Sequence, residues 1–353
     1  MDAALRDTPA LTVDLDAVER NIRRLQEHCD REGLANRPHI KTHKLPGVAH
    51  MQLAAGAVGI ACQKLGEAEV MAASGISDIL LTFPIVGEEK LARLVRLAAS
   101  TRLGLVGDSA VVARGVSVAL AREGLECDFV VECDTGLGRT GVQSPEEAAG
   151  LAALVASLPG LRFAGLMTYP TPRDGGAWLR AAREECEAAG LALERVSGGG
   201  TPHALDTTRE KDALTEVRAG TYVYGDRHCL GNGTVRLEDV AQVVRATVVS
   251  RPTRDRAIVD AGTKALTSDP VAQSDAGGHG FVREFPEAVV YRLNEEHGYL
   301  DVSRCPEAPE VGQVVSIVPN HACGATNLYD EVVVTRSGRV VGIWPVLARG
   351  RNR

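Results

Sequence analysis

Along the first two-thirds of the chain, hydrophobic positions alternate between two periods. In LDAVERNIRRLQEHCDREG, Leu15, Val18, Ile22, Leu25 and Cys29 recur at helical spacing, and Gly33 follows as a stop. RPHIKTHK reads as a short extended run and GVAHMQLAAG as a helix. AVGIAC, short and without polar residues, reads as a buried strand, and KLGEAEVMAASG as the next helix. The cycle repeats through DILLTF, VGEEKLARLVRLAAS, RLGLVG, DSAVVARGVSVALAREG, DFVVECD, SPEEAAGLAALVASLPG, FAGLMTY and WLRAAREECEAAG. It closes on LERVSGGG and TEVRAGTYVYG.

Strands alternating with helices through short Gly/Pro turns predict a parallel sheet with crossover helices. Seven or eight such units over residues 12–235 match the count of an N-terminal (β/α)8 barrel of the TIM type. A doubly wound open sheet is the alternative, because periodicity does not report closure. Beyond about residue 235 the helical period disappears. VAQVVRATVVS, RAIVDAG, EAVVYRLN, YLDVS, QVVSIVP, EVVVTR and RVVGIWPV are short, β-branched and bounded by turn residues. They predict a C-terminal all-β domain over 236–353, with 1–11 packed on it, so the fold class is α/β with an appended β domain.

Composition narrows the function classes without choosing one. The 353 residues are 44% hydrophobic but only 4% aromatic, so the core is aliphatic. A net charge of −7 argues against a nucleic-acid surface, which needs clustered Lys and Arg. No apolar run approaches the about 20 residues of a membrane span. MDAALRDTPA lacks the basic stretch and apolar core of a signal peptide, and the eight cysteines form no CxxC pair. A reduced, cytoplasmic setting is the expectation.

Candidate chemistry gathers where strands end, the rim that carries the site in a βα barrel. Lys41 and His43 follow the first strand and Gln63 follows AVGIAC. Arg139 lies in CDTGLGRTG, Tyr169 follows GLMT, and SGGGT spans Ser197 to Thr201. Consecutive glycines let backbone N–H groups converge on a phosphate, with Gly220 and Thr221 offering a second set of amides; a plain flexible turn is the other reading of SGGGT. On an extended strand, His39, Lys41 and His43 share one face, with Ile40 and Thr42 on the other. A lysine partly desolvated there forms Schiff bases readily, whereas a solvated one is merely a surface charge. In PNHAC, His321 and Cys323 stand two apart, and extended backbone points both to one side at a spacing that suits Zn²⁺. A core cysteine beside a loop histidine is the competing reading. Glu295 and His297 of EEHG form either an acid–base cluster or a polar turn.

Taken in order, TPALTVDLDAVERNI, RPHIKTHK, ACQKLGEAEVM, DAGTKALTSD, EEHG and PNHACGATNL resemble the D-threonine aldolase and D-serine dehydratase family. These are fold-type III pyridoxal phosphate (PLP) enzymes related to alanine racemase, and the resemblance runs from Thr8 to about Gly350. It implies an N-terminal barrel, a C-terminal β domain, a homodimer and a small D-amino acid substrate. It implies Lys41 as the Schiff-base lysine, acting with Tyr169 and Arg139 in catalysis. His39, Gln63, Arg139 and Tyr169 would flank the cofactor, and Gly199, Gly200, Thr201, Gly220 and Thr221 would cup its phosphate. His321 and Cys323 would hold a divalent metal. The aldolases are expected to pair the metal histidine with aspartate and the dehydratase with cysteine. Cys323 therefore favours dehydration, and a thiolate favours Zn²⁺ over Mn²⁺ or Mg²⁺. The alternatives are retro-aldol cleavage, racemisation and a PLP-binding protein without turnover.

Overall fold

The computed structural model describes residues 7–170, 175–205, 212–271 and 277–353. Of the segment 1–11, residues 1–6 lie outside the described residues. The chain divides into two compact units: one holds the residues up to Arg23, Thr42–Leu45 and Thr221–Gly350, the other Arg24–Lys41, Pro46–Gly220 and Arg351–Arg353.

The chain begins with β1 (Ala10–Asp14) and α1 (Leu15–Glu32). On α1 the expected face is the buried one, since Leu15, Val18, Ile22, Leu25 and Cys29 are each at most 5% exposed. Gly33 ends the helix at a φ of +70°, a left-handed conformation that costs glycine little. The βα cycle follows: β2 (Ala35–Asn36), α2 (Pro46–Ala54), β3 (Ile60–Cys62), α3 (Leu65–Ala73), β4 (Asp78–Leu81), α4 (Glu88–Ala98), β5 (Arg102–Gly107) and α5 (Ala110–Arg122). It continues through β6 (Cys127–Cys133), α6 (Pro145–Ser157), β7 (Leu161–Thr168), α7 (Gly175–Ala188), β8 (Arg195–Gly198) and β9 (Glu216–Val217).

These strands form one parallel sheet in the order β2-β9-β8-β7-β6-β5-β4-β3. A parallel bridge between His39 and Ala61 joins its two ends, and Ala61 N–H donates to Pro38 C=O at 2.9 Å. The sheet is therefore closed, which decides between the barrel and the open doubly wound alternative. Leu80, Val106, Val130, Ala164 and Met167 form a buried cluster from four successive strands. Both sheet faces are covered, so these strands read as continuous apolar runs.

The other unit continues with α8 (Arg227–Gly231), β10 (Gln242–Thr253), β11 (Arg256–Val259), α9 (Thr263–Leu266), β12 (Gly280–Val282), β13 (Val289–Leu293), β14 (Gly298–Asp301), β15 (Val314–Pro319), α10 (Ala322–Thr326), β16 (Glu331–Arg336) and β17 (Arg339–Pro345). Its sheet runs β11-β14-β13-β12-β15-β10-β1-β16-β17, and a further β10–β11 pairing closes the first six strands into an antiparallel barrel. The closure depends on β10, whose first half pairs with β1 and β15 and whose second half turns through register shifts onto β11. β1 joins this sheet antiparallel to β10 and parallel to β16. Strand β12 and the short helices α8, α9 and α10 carry no pattern that the sequence reading anticipated.

Candidate active site

Polar residues of the parallel barrel gather after its strands. RPHIKTHK is not extended throughout, which corrects the sequence expectation: Ile40–Thr42 is a 3₁₀ turn that begins as soon as the bridge at His39 ends. A 3₁₀ turn has about three residues per turn, so strand alternation no longer sorts its side chains. His39, Lys41 and His43 accordingly do not share one face. His39 Nε2 lies 3.1 Å from Gln63 Oε1 and 3.2 Å from Thr82 Oγ1. The Lys41 backbone N–H donates to His39 Nδ1 at 3.4 Å, which assigns the ring proton to Nε2. His43 instead accepts from Leu45 N–H at Nδ1 and sets its ring edge-on to Tyr224, centroids 6.3 Å apart.

Tyr169 stands at the centre of the barrel-end group. Lys41 Nζ is 5.4 Å from its ring centroid and the Arg139 guanidinium carbon 5.3 Å. Gly200 packs on the same ring so closely that an added Cβ would come within 3.0 Å of Tyr169 Cε2. Gly199 adopts a φ of +72°, open to glycine without strain. Gln63 is fixed by its own N–H to Glu67 Oε2 (2.8 Å) and by Nε2 to Thr82 C=O (3.3 Å). Lys41, His39, Gln63, Arg139, Tyr169, Gly199 and Gly200, all picked out from sequence, thus lie in one unit, and all follow barrel strands. Thr201 opens the turn after Gly200.

Beneath this group runs a buried network to which the sequence reading gave no role. Arg218, 4% exposed, donates through Nε to Ser197 Oγ (2.8 Å) and through Nη2 to Thr168 C=O (2.6 Å). Ser197 in turn donates to Glu216 Oε1 (2.6 Å), whose other oxygen accepts from Arg37 Nε (2.8 Å). Burial pushes the Arg218 guanidinium down to about 10, although Glu216 and Glu132 favour its charge. Burial also raises Glu132, against a 2.7 Å hydrogen bond from Thr140 and the nearby charge of Arg139. An arginine set between apolar Val217 and Ala219 in TEVRAG, two residues from Glu216, was the available signal for Arg218.

In the antiparallel unit, PNHAC is also not uniformly extended. His321 is extended, but Cys323 lies in α10, so the same-side argument from strand alternation fails. The two side chains meet all the same, through a Cys323–His321 hydrogen bond that, against burial, raises the imidazole to about 9. Asp269 Oδ2 lies 3.1 Å from His321 Nδ1, and Asn320 Nδ2 holds the Asp269 carbonyl at 2.8 Å. The Asp226 carboxylate accepts from Ala322 N–H (3.0 Å) and Cys229 N–H (2.9 Å). Around the Cys323 sulfur stand Thr42 Oγ1 at 3.2 Å and Thr221 Oγ1 at 3.8 Å. Among the described residues no group of three or more His, Cys, Asp or Glu is placed to hold a metal, which leaves a two-residue nitrogen and sulfur pair. EEHG is the turn between β13 and β14, where Asn294 N–H donates to His297 C=O and Glu296 pairs with Lys264. Among the described residues no disulfide forms, and no helix is long and apolar enough to cross a membrane.

A closed parallel barrel with lysine, tyrosine, arginine and a glycine run after its strands, joined to an antiparallel barrel, defines an alanine racemase-like enzyme. The family model of the alanine racemase N-terminal domain matches residues 13–228, and a serine dehydratase-like domain matches 241–335. A D-threonine aldolase of Arthrobacter sp. is 37% identical over 98% of this chain and 94% of its own length. A D-threo-3-hydroxyaspartate dehydratase of Delftia sp. is 36% identical over 90% of this chain and 91% of its own. The solved cysteine-to-alanine variant of a D-threo-3-hydroxyaspartate dehydratase, in its metal-free form, superposes with a TM-score of 0.88 at 33% identity, covering 98% of this chain and 99% of that one. The chain belongs to the alanine racemase N-terminal domain family, in its D-threonine aldolase and D-serine dehydratase branch, and is a fold-type III PLP-dependent lyase.

Proposed function

We propose that this enzyme removes water from a D-β-hydroxy amino acid, D-serine or a β-substituted analogue, giving a keto acid and ammonia. The observation that carries the reading is the His321–Cys323 pair, a nitrogen and a sulfur donor in mutual contact, with Thr42, the residue after Lys41, on the sulfur. Such a donor set suits Zn²⁺ better than Mn²⁺ or Mg²⁺. The barrel-end residues fit PLP: Gly200 leaves bare backbone where a side chain would crowd Tyr169, Gly199 takes a φ of +72°, and an amine faces that ring. When bound, PLP supplies an electron sink at the substrate Cα and the metal a Lewis acid at the β-hydroxyl.

The chain's own residues do the rest. Lys41 would hold the cofactor through its amine and, when free, would take the substrate α-proton at Nζ. Tyr169 and Arg139 orient the reacting groups, Arg139 offering its guanidinium to the substrate carboxylate. His39 and Gln63, their geometry set by Thr82 and Glu67, would hold the cofactor. Gly199, Gly200, Thr201, Gly220 and Thr221 would bind the phosphate, and His321 and Cys323 would hold the metal. The net reaction would release ammonia and a keto acid, the water lost from the β-carbon being regained on hydrolysis of the free product. The protein works as a homodimer, which sedimentation of the purified protein checks.

The second reading, retro-aldol cleavage to glycine and an aldehyde, is favoured by the 37% identity with the Arthrobacter D-threonine aldolase. Product analysis with D-serine, D-threonine and D-threo-3-hydroxyaspartate separates them. Dehydration gives keto acid and ammonia; glycine plus acetaldehyde from D-threonine overturns it in favour of cleavage. Activity that survives EDTA and His321→Ala removes the metal from either scheme.

A further inference from the structure

DAGTKALTSD ends on an aspartate that the activity proposed above leaves without a task. Asp269 follows α9, and its Oδ2 stands 3.1 Å from His321 Nδ1. An ionised carboxylate only accepts, so the imidazole donates through Nδ1, and Nε2 is the nitrogen with a lone pair to offer a metal. Cys323 hydrogen-bonds the same ring. The aspartate is held from several directions. Its N–H donates to Thr267 Oγ1 at 3.3 Å, and Thr267 sits at a φ of +69°, a left-handed conformation for a β-branched residue that its surroundings must maintain. Its carbonyl accepts from Asn320 Nδ2 at 2.8 Å; the same nitrogen donates to Gly278 C=O at 3.0 Å, and Asn320 Oδ1 accepts from Arg227 Nη1 at 3.3 Å. Asn320 is buried and directly precedes His321, so one residue fixes the aspartate backbone while its neighbour carries the imidazole. On α10, Gly324 is bare where an added Cβ would come within 2.9 Å of Thr267 Cγ2 and 3.1 Å of Asp269 Oδ2. All of these residues belong to one compact unit.

We propose that Asp269 is a positioning residue for metal binding: its carboxylate keeps the His321 proton on Nδ1 and turns Nε2 toward a divalent ion shared with Cys323. The inference rests on the functional reading above only in taking His321 and Cys323 as the metal pair, and it needs nothing from the parallel barrel. Asp269 is not a third donor, since among the described residues no group of three or more His, Cys, Asp or Glu is placed to hold a metal. Its effect therefore passes through the imidazole. A ring free to turn presents either nitrogen or a C–H edge to the ion and loses that freedom on binding; a ring already held by a carboxylate has lost it beforehand, and the hydrogen bond makes the ligating nitrogen more basic. His321 and Asp269 are both nearly half exposed, so their contact competes with water, and the ties to Thr267 and Asn320 keep the carboxylate in place against that competition. With two protein donors fixing the ion, the orientation of one ring weighs heavily.

The test measures Zn²⁺ affinity of the full chain by competition with a chromophoric chelator, and ligand geometry by the absorption of the Co²⁺-loaded protein. Asp269→Ala is expected to bind Zn²⁺ about 10–100-fold more weakly, with an altered Co²⁺ spectrum that keeps the thiolate band of Cys323. In Asp269→Asn the side-chain oxygen still accepts from Nδ1–H, so affinity and spectrum return toward wild type. In Asp269→Leu, which fills the space without accepting, they stay with Asp269→Ala; a role in packing alone gives the reverse order for Leu. Zn²⁺ binding as tight in Asp269→Ala as in wild type overturns the proposal, and Asp269→Asn as weak as Asp269→Ala, or Asp269→Leu as tight as wild type, overturns the hydrogen bond as its carrier. Imidazole nitrogen NMR of the Zn²⁺-loaded wild-type protein needs no variant to fold: the proton is expected on Nδ1 and the metal on Nε2, and metal on Nδ1 overturns the proposal outright. A wild-type protein that binds no Zn²⁺ overturns the metal reading along with this one, whereas Zn²⁺ held at Nε2 with an affinity indifferent to residue 269 overturns the role of Asp269 alone.

Discussion

The two barrels differ in how buried polar groups are joined. In the parallel barrel, Arg37, Glu216, Ser197 and Arg218 are buried and joined in one chain of hydrogen bonds. In the antiparallel barrel the interior is aliphatic, with Val244, Val248, Leu300, Val315 and Ile317 all fully buried. Its reactive groups, His321 and Asp269, stay nearly half exposed. A parallel barrel covers its sheet with helices, so polar groups that must stay near the strand ends have to satisfy one another. Antiparallel strands alternate inward and outward, which lets most polar residues face away from the core, with exceptions such as Gln242, whose amide N–H pairs with Thr326 Oγ1.

The difference can be broken at single residues, and the largest expected effect is catalytic. Lys41→Ala removes the group expected to bind the cofactor and move the α-proton, so turnover falls by on the order of 10²–10⁴-fold or more, with loss of the bound-cofactor absorbance and an unchanged circular dichroism spectrum. Next comes Arg37→Met, which strands the Glu216 carboxylate in the interior. It should cost about 3–5 kcal/mol, read from urea unfolding of the barrel. Leu300→Ala in the antiparallel unit should cost about 2–5 kcal/mol by leaving a cavity, and that cost should not vary with pH, because no titrating group is involved.

The pH dependence sharpens the contrast. Burial alone would raise Glu216, but the charge of Arg37 and hydrogen bonds from Ser197 and Arg37 outweigh it and hold the carboxyl below the ordinary glutamate value of 4.5. A depressed carboxylate contributes stability in full above its unfolded value and loses it as pH falls through the folded one. Wild-type stability should therefore drop below about pH 4.5 more steeply than that of Glu216→Gln, compared by urea midpoints from neutral to acid pH. The smallest effect is reserved for the surface. Arg93 makes a paired contact with Glu69 at 2.8 and 2.6 Å, yet Arg93→Ala should cost only about 0.2–1 kcal/mol, because solvent already screens it.

The placement of the candidate barrel-end residues was legible because they follow strands whose pattern is local. Lys41, Gln63, Arg139, Tyr169 and the glycines after β8 stand after strands that their own apolar runs mark. The local geometry was not legible. RPHIKTHK has the composition of a strand, but its sheet partners end at His39, and without them the chain turns. In PNHAC, strand alternation does not relate His321 to Cys323, since Cys323 lies in α10. Asp269 and Thr42 lay inside quoted motifs and received no task, because their partners are 52 and 281 residues away.

The sequence by itself determined the periods: helix and strand alternation up to about residue 235, β structure after it, and the apolar face of α1. Those follow from burying side chains on one face of a regular backbone, a requirement each segment meets alone. Closure of the parallel sheet, the joining of β1 to strands more than 220 positions away, and the approach of Thr42 to Cys323 were decided only by the tertiary structure. Each of these depends on backbone or side-chain groups that find their partners only after distant segments have packed, and no pattern within a short stretch of chain records where that partner lies.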